Sequence, residues 1–393
     1  MRNGTFRIET FPPYVLKTVE AAAQSAQDEG RDVIRFGMGI PDGETPNDIV
    51  DQMVFAAREQ KNQQYPKANG HPNLLSAIRR MYERDYGIGL DDDQMFVTPG
   101  GKPAIGHFCY GAFYPGTPVL APSPYYPIHD MGPKLAEADV ITYPVKPGGD
   151  HVAAIAHAYE AAVRKPRFLI ANFPHNPTGA TMSLPELKEL VRFAEHPERD
   201  LYVVYDAAYQ RTEFGHGKAS SILEVGGADY RCMEVFSFSK CLNMSGFRVG
   251  FVAGNSKMVQ ALASTDSYLL YGVPSFIQIA AAYGLDHLDD FAPLICSTYA
   301  RRAVVMQSEF SAVGWPMDLP MSTMFMWTRI PEPFATMGSF GFAKKLLEET
   351  DIAVSPGKGF GEEGEGFVRL ALNQTEGRIQ EAATRIGRFL KKG

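Results

Sequence analysis

Apolar residues along this chain keep two alternating rhythms. Short solid runs, such as Met95-Phe96-Val97, Phe168-Leu169-Ile170-Ala171, Leu201-Tyr202-Val203-Val204-Tyr205 and Met233-Glu234-Val235-Phe236, have the density of strands buried on both faces. Between them, apolar positions recur three and four apart, as at Leu74, Leu75, Ile78 and Met81 within 72–86, which is the spacing of one helical face. Stop and start signals agree with that division. Gly30 closes a helix begun at Val15, and Ser183 stands as an N-cap before Leu184. From about 95 to 285 strand and helix alternate, which predicts a mainly parallel sheet covered by helices. After that the rhythm changes to a long helix over 292–314 and short strands at 324–327, 352–354 and 367–372. The expected fold is α/β: a large domain with a mainly parallel mixed sheet sandwiched by helices, and a smaller α+β domain built from both chain ends. Residues 1–45 are expected to join the small domain, 46–285 to form the large one, and 286–393 to complete the small one.

Composition narrows the function without naming it. The net charge of -7, with no basic block, argues against a nucleic-acid partner. No apolar run reaches membrane-spanning length and the first residues lack a signal-peptide core, so a cytoplasmic protein is expected, with no membrane partner. Four widely spaced cysteines and nine histidines without HExxH spacing predict free thiols and no metal site. No strand is followed by GxGxxG, which sets a nicotinamide dehydrogenase aside.

Chemistry gathers at the ends of three solid runs: Asn176, Asp206 and Lys240. Each has a plainer reading alone. Asn176 before Pro177 suits a turn, Asp206 a helix cap, Tyr209 packing, and Lys240 a strand end at the surface. Together they stand where ligands gather in open α/β sheets, at the carboxyl ends of parallel strands. An amine sheltered from water loses its proton more easily and attacks carbonyls. Ser237 and Arg248 flank Lys240 as a pocket for phosphate. Gly100-Gly101, between a strand and a helix with Pro103 in its first turn, leaves backbone N–H groups free for an anion. A sheltered amine beside a phosphate pocket points to pyridoxal phosphate held as a Schiff base. That cofactor needs a carboxylate at its ring nitrogen and donors at its phenolate oxygen, the residue types present.

Eight motifs then stand in order along the chain: MGIPDGETP (38–46), YPKANG (65–70), TPGGKPA (98–104), PSPYYPIH (122–129), NFPHNPTG (172–179), YDAAY (205–209), SFSKCLNMSGFRVGF (237–251) and SPGKGFG…FVRLAL (355–372). On these the chain resembles the fold-type I, pyridoxal-phosphate-dependent aminotransferases of class I/II. RIETFPPYVLKTV, SYLLYGVPSFIQIAAA and IPEPFATMGSFGFAKKLL bring it nearest to the glutamate–pyruvate (alanine) branch. The resemblance implies that Lys240 holds the cofactor and shuttles the proton, Asp206 pairs with the pyridine nitrogen, and Tyr209 and Asn176 donate to the phenolate oxygen. Tyr126 stacks on the ring. The amides of Gly101 and Lys102, with Ser237 and Arg248, hold the phosphate. Tyr65 reaches the cofactor phosphate of a second subunit, making a homodimer with shared sites. Arg369, with Asn176 and the Gly39 backbone, takes the substrate carboxylate.

The implied reaction moves an amino group between an amino acid and a 2-oxo acid, with alanine and 2-oxoglutarate the preferred pair. Aspartate, methionine, aromatic or LL-diaminopimelate donors stay open. The Lys102 side chain either binds a distal carboxylate or faces solvent, and Tyr14 either lines the entrance or packs. Cys241, Leu242 and Phe247 depart from residues common in the family and bear on pocket shape. A C–S β-lyase would use nearly the same apparatus. A cofactor-sensing regulator would need a DNA-binding extension, for which no room is expected before Phe11.

Overall fold

The computed structural model of the chain describes residues 6–215 and 219–391. Among them run twelve strands: β1 (Ile34–Arg35), β2 (Met95–Thr98), β3 (Pro118–Ser123), β4 (Asp139–Pro144), β5 (Phe168–Asn172), β6 (Tyr202–Asp206), β7 (Cys232–Ser237), β8 (Gly250–Gly254), β9 (Phe325–Arg329), β10 (Ile352–Ala353), β11 (Ser355–Pro356) and β12 (Phe367–Ala371). Seven build one sheet in the order β2-β8-β7-β6-β5-β3-β4. The run from β4 to β7 is parallel, and β8 lies antiparallel to both its neighbours. The α/β fold expected from the rhythm is the one found, with β8 making the sheet mixed.

Two apolar clusters explain why the central strands are solid runs and not alternating ones. Ile170, Val204 and Val235 pack on one face with Ile105, Phe108 and Leu262. Leu169, Val203 and Phe236 pack on the other with Ile78, Leu187 and Leu190. With both faces covered by helices, every position along the strand gains from being apolar; a fully buried Leu or Val is worth about 1.5–3 kcal/mol over an exposed one. Register then sets the site. Asn172 lies opposite Asp206, and Asp206 opposite Val235, so β5, β6 and β7 end almost level.

Local chemistry places the helices. Ser183 Oγ accepts from the Glu186 N–H while the Glu186 carboxylate accepts from the Ser183 N–H at 2.7 Å, a reciprocal cap for Leu184–Glu195. The helix after β2 spans Gly101–Ala112, with Pro103 in its first turn, where no N–H is needed. The helical region after Ser256 is two helices, Ser256–Leu269 and Ser275–Asp286; Gly272 (φ +83°) turns the chain between them. Pro127–Leu135 is a helix the sequence pattern does not place: Ile128, Met131 and Leu135 keep helical spacing, but Pro133 stands inside it.

By their contacts the described residues form two compact units. One comprises the residues up to Gly39, Arg302–Leu319 and those from Phe325 onward. The other comprises Ile40–Arg301 and Pro320–Met324. The divisions fall at 39/40 and 301/302, where the sequence pattern placed them at 45/46 and 285/286. The second falls inside the helix Leu288–Ala312, where no turn or helix end marks it. The return at 320–324 is held to the larger unit by Phe214 N–H donating to Met321 C=O and by a bridge between Glu213 and Ser322. In the smaller unit, β1 pairs with β10, and β11-β12-β9 form an antiparallel sheet. No helix among the described residues is long and apolar enough to cross a membrane.

Candidate active site

Asp206 ends β6, buried, with each carboxylate oxygen engaged. One accepts from the Ala208 N–H at 3.0 Å, and the other lies 2.8 Å from His129 Nε2. His129 is itself fully buried, carried on the helix Pro127–Leu135. Its geometry makes Nε2 the protonated nitrogen, donating to the carboxylate. The β6 end is tied to the β5 end as well. Asn172 donates to the Asp206 carbonyl at 2.8 Å, and its side-chain oxygen accepts from the Asn176 N–H at 3.0 Å. That bond sets the turn bearing Asn176, whose amide donates to the Tyr209 hydroxyl at 3.3 Å. Lys240 Nζ, three residues past the end of β7, sits 5.8 Å from the centre of the Tyr209 ring, and the residue is half-buried.

Beside these groups lies an anion cradle. Gly100 (φ +103°) stands at the N-cap of Gly101–Ala112 with no side-chain cap, so the first-turn N–H groups are offered to whatever lies there. A Cβ on Gly100 would come within 3.0 Å of Arg248 Nη2, and one on Gly101 would lie 3.8 Å from Ser237 Cβ. Glycine at 100 therefore lets Arg248 close on the helix start, whereas Ser237 lies at ordinary contact distance from position 101. Arg248 reaches it from a left-handed conformation (φ +54°), its guanidinium steadied by the carbonyls of Ser245 (3.0 Å) and Pro99 (3.2 Å). Lys102 places its ammonium 5.9 Å from the Tyr126 ring centre, and Tyr126 meets His129 edge-on at 6.0 Å.

The structure thus brings Gly101, Lys102, Tyr126, Asn176, Asp206, Tyr209, Ser237, Lys240 and Arg248 into the larger unit as one group. Tyr65 stands in the same unit but at the surface, 80% exposed, its ring 4.6 Å from that of Tyr271. Arg369 and Gly39 lie in the smaller unit. Arg369 is buried in β12, donates to the Gly37 carbonyl at 3.0 Å, and stacks on Phe325 and Phe360 at 4.0 and 4.6 Å. Gly39 is tight against it: a Cβ there would strike Phe325 at 2.5 Å.

His129, Asn172 and His175 were missed as individual residues, although the quoted motifs contain all three. His175 is buried with Nδ1 2.8 Å from Thr178 Oγ1, and burial, then the neighbouring His129 and His151, keeps it neutral well below its usual range. Cys241, beside the lysine, is a packing residue: burial pushes its thiol up to about 12.

The donor set suits one ligand class. A helix start, a hydroxyl and a guanidinium match a phosphate. A histidine-braced carboxylate matches a protonated ring nitrogen, and the Asn176–Tyr209 pair a phenolate. Comparison with known proteins agrees. Residues 31–386 match the family model described as aminotransferase class I and II. Glutamate-pyruvate aminotransferase AlaC of Escherichia coli strain K12 is 37% identical over 96% of this chain and 91% of its own. An LL-diaminopimelate aminotransferase of Dehalococcoides mccartyi is 32% identical over 98% of both chains. Among solved structures, a single mutant of Thermus thermophilus aspartate aminotransferase superposes with a TM-score of 0.89 at 25% identity, over 99% of this chain and all of the other.

Proposed function

This chain belongs to the class I and II aminotransferases, a family of pyridoxal-phosphate enzymes, and from that membership we propose that it binds pyridoxal 5'-phosphate at Lys240 and exchanges alanine with 2-oxoglutarate. The observation that carries the site assignment is the level ending of β5, β6 and β7 beside the uncapped helix at Gly101. When bound, the cofactor supplies an electron sink for the charge left at the substrate α-carbon.

The remaining work falls to side chains. Asp206, steadied by His129 and the Ala208 N–H, holds the proton of the ring nitrogen. Asn176 and Tyr209 donate to the phenolate oxygen. Ser237, Arg248 and the amides of Gly101 and Lys102 hold the phosphate, and Tyr126 covers the ring. Lys240 Nζ would hold the cofactor through its aldehyde carbon and, once the substrate amine had displaced it, would take the proton from the substrate α-carbon as base and give it back as acid. Arg369, held against the rings of Phe325 and Phe360, receives the substrate carboxylate beside the Gly39 backbone.

Tyr65 completes the phosphate site of a second subunit, so the working form is a homodimer. The exposed Tyr65, Tyr268, Leu269 and Tyr271 support this, since aromatic side chains cluster at interfaces. A cytoplasmic location is part of the proposal, in keeping with four free, buried cysteines. Alanine is chosen on the likeness to the Escherichia coli glutamate–pyruvate enzyme; the relatives named for LL-diaminopimelate favour that donor as a second reading. A panel of amino donors against pyruvate and 2-oxoglutarate tests it. Fastest exchange is expected for alanine with 2-oxoglutarate. A faster LL-diaminopimelate reaction overturns the substrate, and pyruvate and ammonia from cystathionine without oxo-acid exchange overturns the reaction.

A further inference from the structure

Gln278 is a buried glutamine in the first turn of Ser275–Asp286, 1% exposed, with both ends of its amide committed. Its oxygen accepts from the His71 N–H at 2.6 Å, and its nitrogen donates to the Val273 carbonyl at 2.6 Å. The two partners lie far apart in sequence, one at the start of the helix Pro72–Tyr86 and one at the start of the helix after Val273. One side chain therefore clamps two helix entries together, along with the loops that lead into them.

Those loops carry Tyr65 and Tyr271. Their rings stack at 4.6 Å, and Gly272 fits so closely under Pro66 that a Cβ there would lie 3.3 Å from its ring. The Tyr65 loop has further moorings. Asn69 accepts from the Val97 N–H at 3.0 Å, joining it to edge strand β2 just before the Gly100–Gly101 cradle. Gly70 (φ +132°) passes so near that a Cβ would meet Val97 at 2.5 Å and the Gln278 oxygen at 3.3 Å. His71, whose proton affinity is lowered by burial and then by Lys67 and Lys61, accepts from the Asn73 N–H at 3.2 Å and caps the helix that follows. Tyr65 and Tyr271 are 80% and 74% exposed, so the clamp beneath fixes what their surface contacts do not.

We propose that Gln278 is a positioning residue for the shared phosphate site: it fixes the Tyr65–Tyr271 pair at the height at which Tyr65 meets the cofactor phosphate of the second subunit. The proposal rests on the reading of Tyr65 given above. Losing the amide leaves the His71 N–H and the Val273 carbonyl without their buried partner, and the loop is free to relax toward water. The effect reaches the cofactor only through Tyr65.

The test uses holoenzyme of the wild type, Gln278→Met, Tyr65→Phe and the double variant. Methionine keeps the volume and removes both hydrogen bonds, so the fold is not asked to close a cavity. The readout is the rate at which pyridoxal phosphate is released to a trap, followed by its absorbance, with sedimentation and thermal melting alongside. Gln278→Met and Tyr65→Phe should each speed release about tenfold, the worth of one hydrogen bond to a charged group, and the double variant should be no faster than Tyr65→Phe. Release unchanged in Gln278→Met but faster in Tyr65→Phe overturns the role of Gln278 and leaves the shared site standing. Additive effects in the double variant overturn it too, because Gln278 would then act by another route. Unchanged release in Tyr65→Phe removes the shared-site reading, and this proposal with it. A lower melting temperature with unchanged release would make Gln278 a structural residue only.

Discussion

Asp206 needs two partners because its two oxygens do different work. The Ala208 N–H fixes one, and His129 fixes the other from a helix elsewhere in the chain. Replacing His129 with phenylalanine keeps a ring in the buried space but leaves Asp206 Oδ2 without that donor, at a cost of about 1.5–3 kcal/mol. The expected result is a kcat/KM about tenfold to a hundredfold lower, with the loss in kcat and not in substrate KM. Steady-state kinetics on folded, cofactor-loaded variant checks it; an unchanged kcat would remove His129 from the positioning of Asp206. The residues that sequence could reveal were those at the ends of solid apolar runs, such as Asp206 and Lys240, where a polar group after a buried strand stands out. His129 was hidden because Pro133 inside its helix argues against a helix there, and because its partner Asp206 lies 77 residues away. Arg369, inside an apolar strand, was only a candidate on its own, and its contacts with Phe325 and Phe360 come from segments the sequence does not link.

Strand β7 carries an unusual passenger, Glu234, fully buried in a run read as apolar. The Tyr82 hydroxyl donates to it at 2.6 Å, and the Ser221 hydroxyl and Ile222 N–H at 2.8 and 3.0 Å. Burial outweighs these bonds and raises the carboxyl from 4.5 to about 7. A raised folded value means that, between those limits, the folded chain keeps a proton the unfolded chain has released. This group's stabilisation is therefore full below pH 4.5 and lost as pH rises to about 7. Glu213, half-buried and likewise raised to about 7 by loss of water around it, acts in the same direction. His175, held neutral by burial, acts in the opposite sense: its contribution is present above pH 6.5 and falls away as the medium acidifies. The informative quantity is thus the difference between wild type and Glu234→Gln. The melting-temperature gap between them should change steadily from pH 4.5 to about 7 and level off above. A constant gap across that range would show that Glu234 ionises as it does in water. The strand itself was legible from its neighbours; the glutamate's partners, on two other segments, were not.

Across the molecule, sequence order and contact order differ in instructive ways. Alternating rhythms were enough to read the α/β class and the parallel core, because each buried strand must be apolar throughout. They could not place the unit boundary inside Leu288–Ala312 or foresee that 320–324 returns to the larger unit, since both depend on contacts between distant segments. The chemistry nonetheless follows from the sheet: level strand ends bring a carboxylate, a hydroxyl–amide pair and a lysine to one edge, beside a helix start open to an anion. If that arrangement is what makes this chain an aminotransferase, its cofactor must be bonded to one lysine. Purified enzyme is reduced with borohydride, digested, and the peptide bearing pyridoxal phosphate is mapped. The adduct should sit on Lys240 alone; no adduct, or one on any other lysine, would contradict the account.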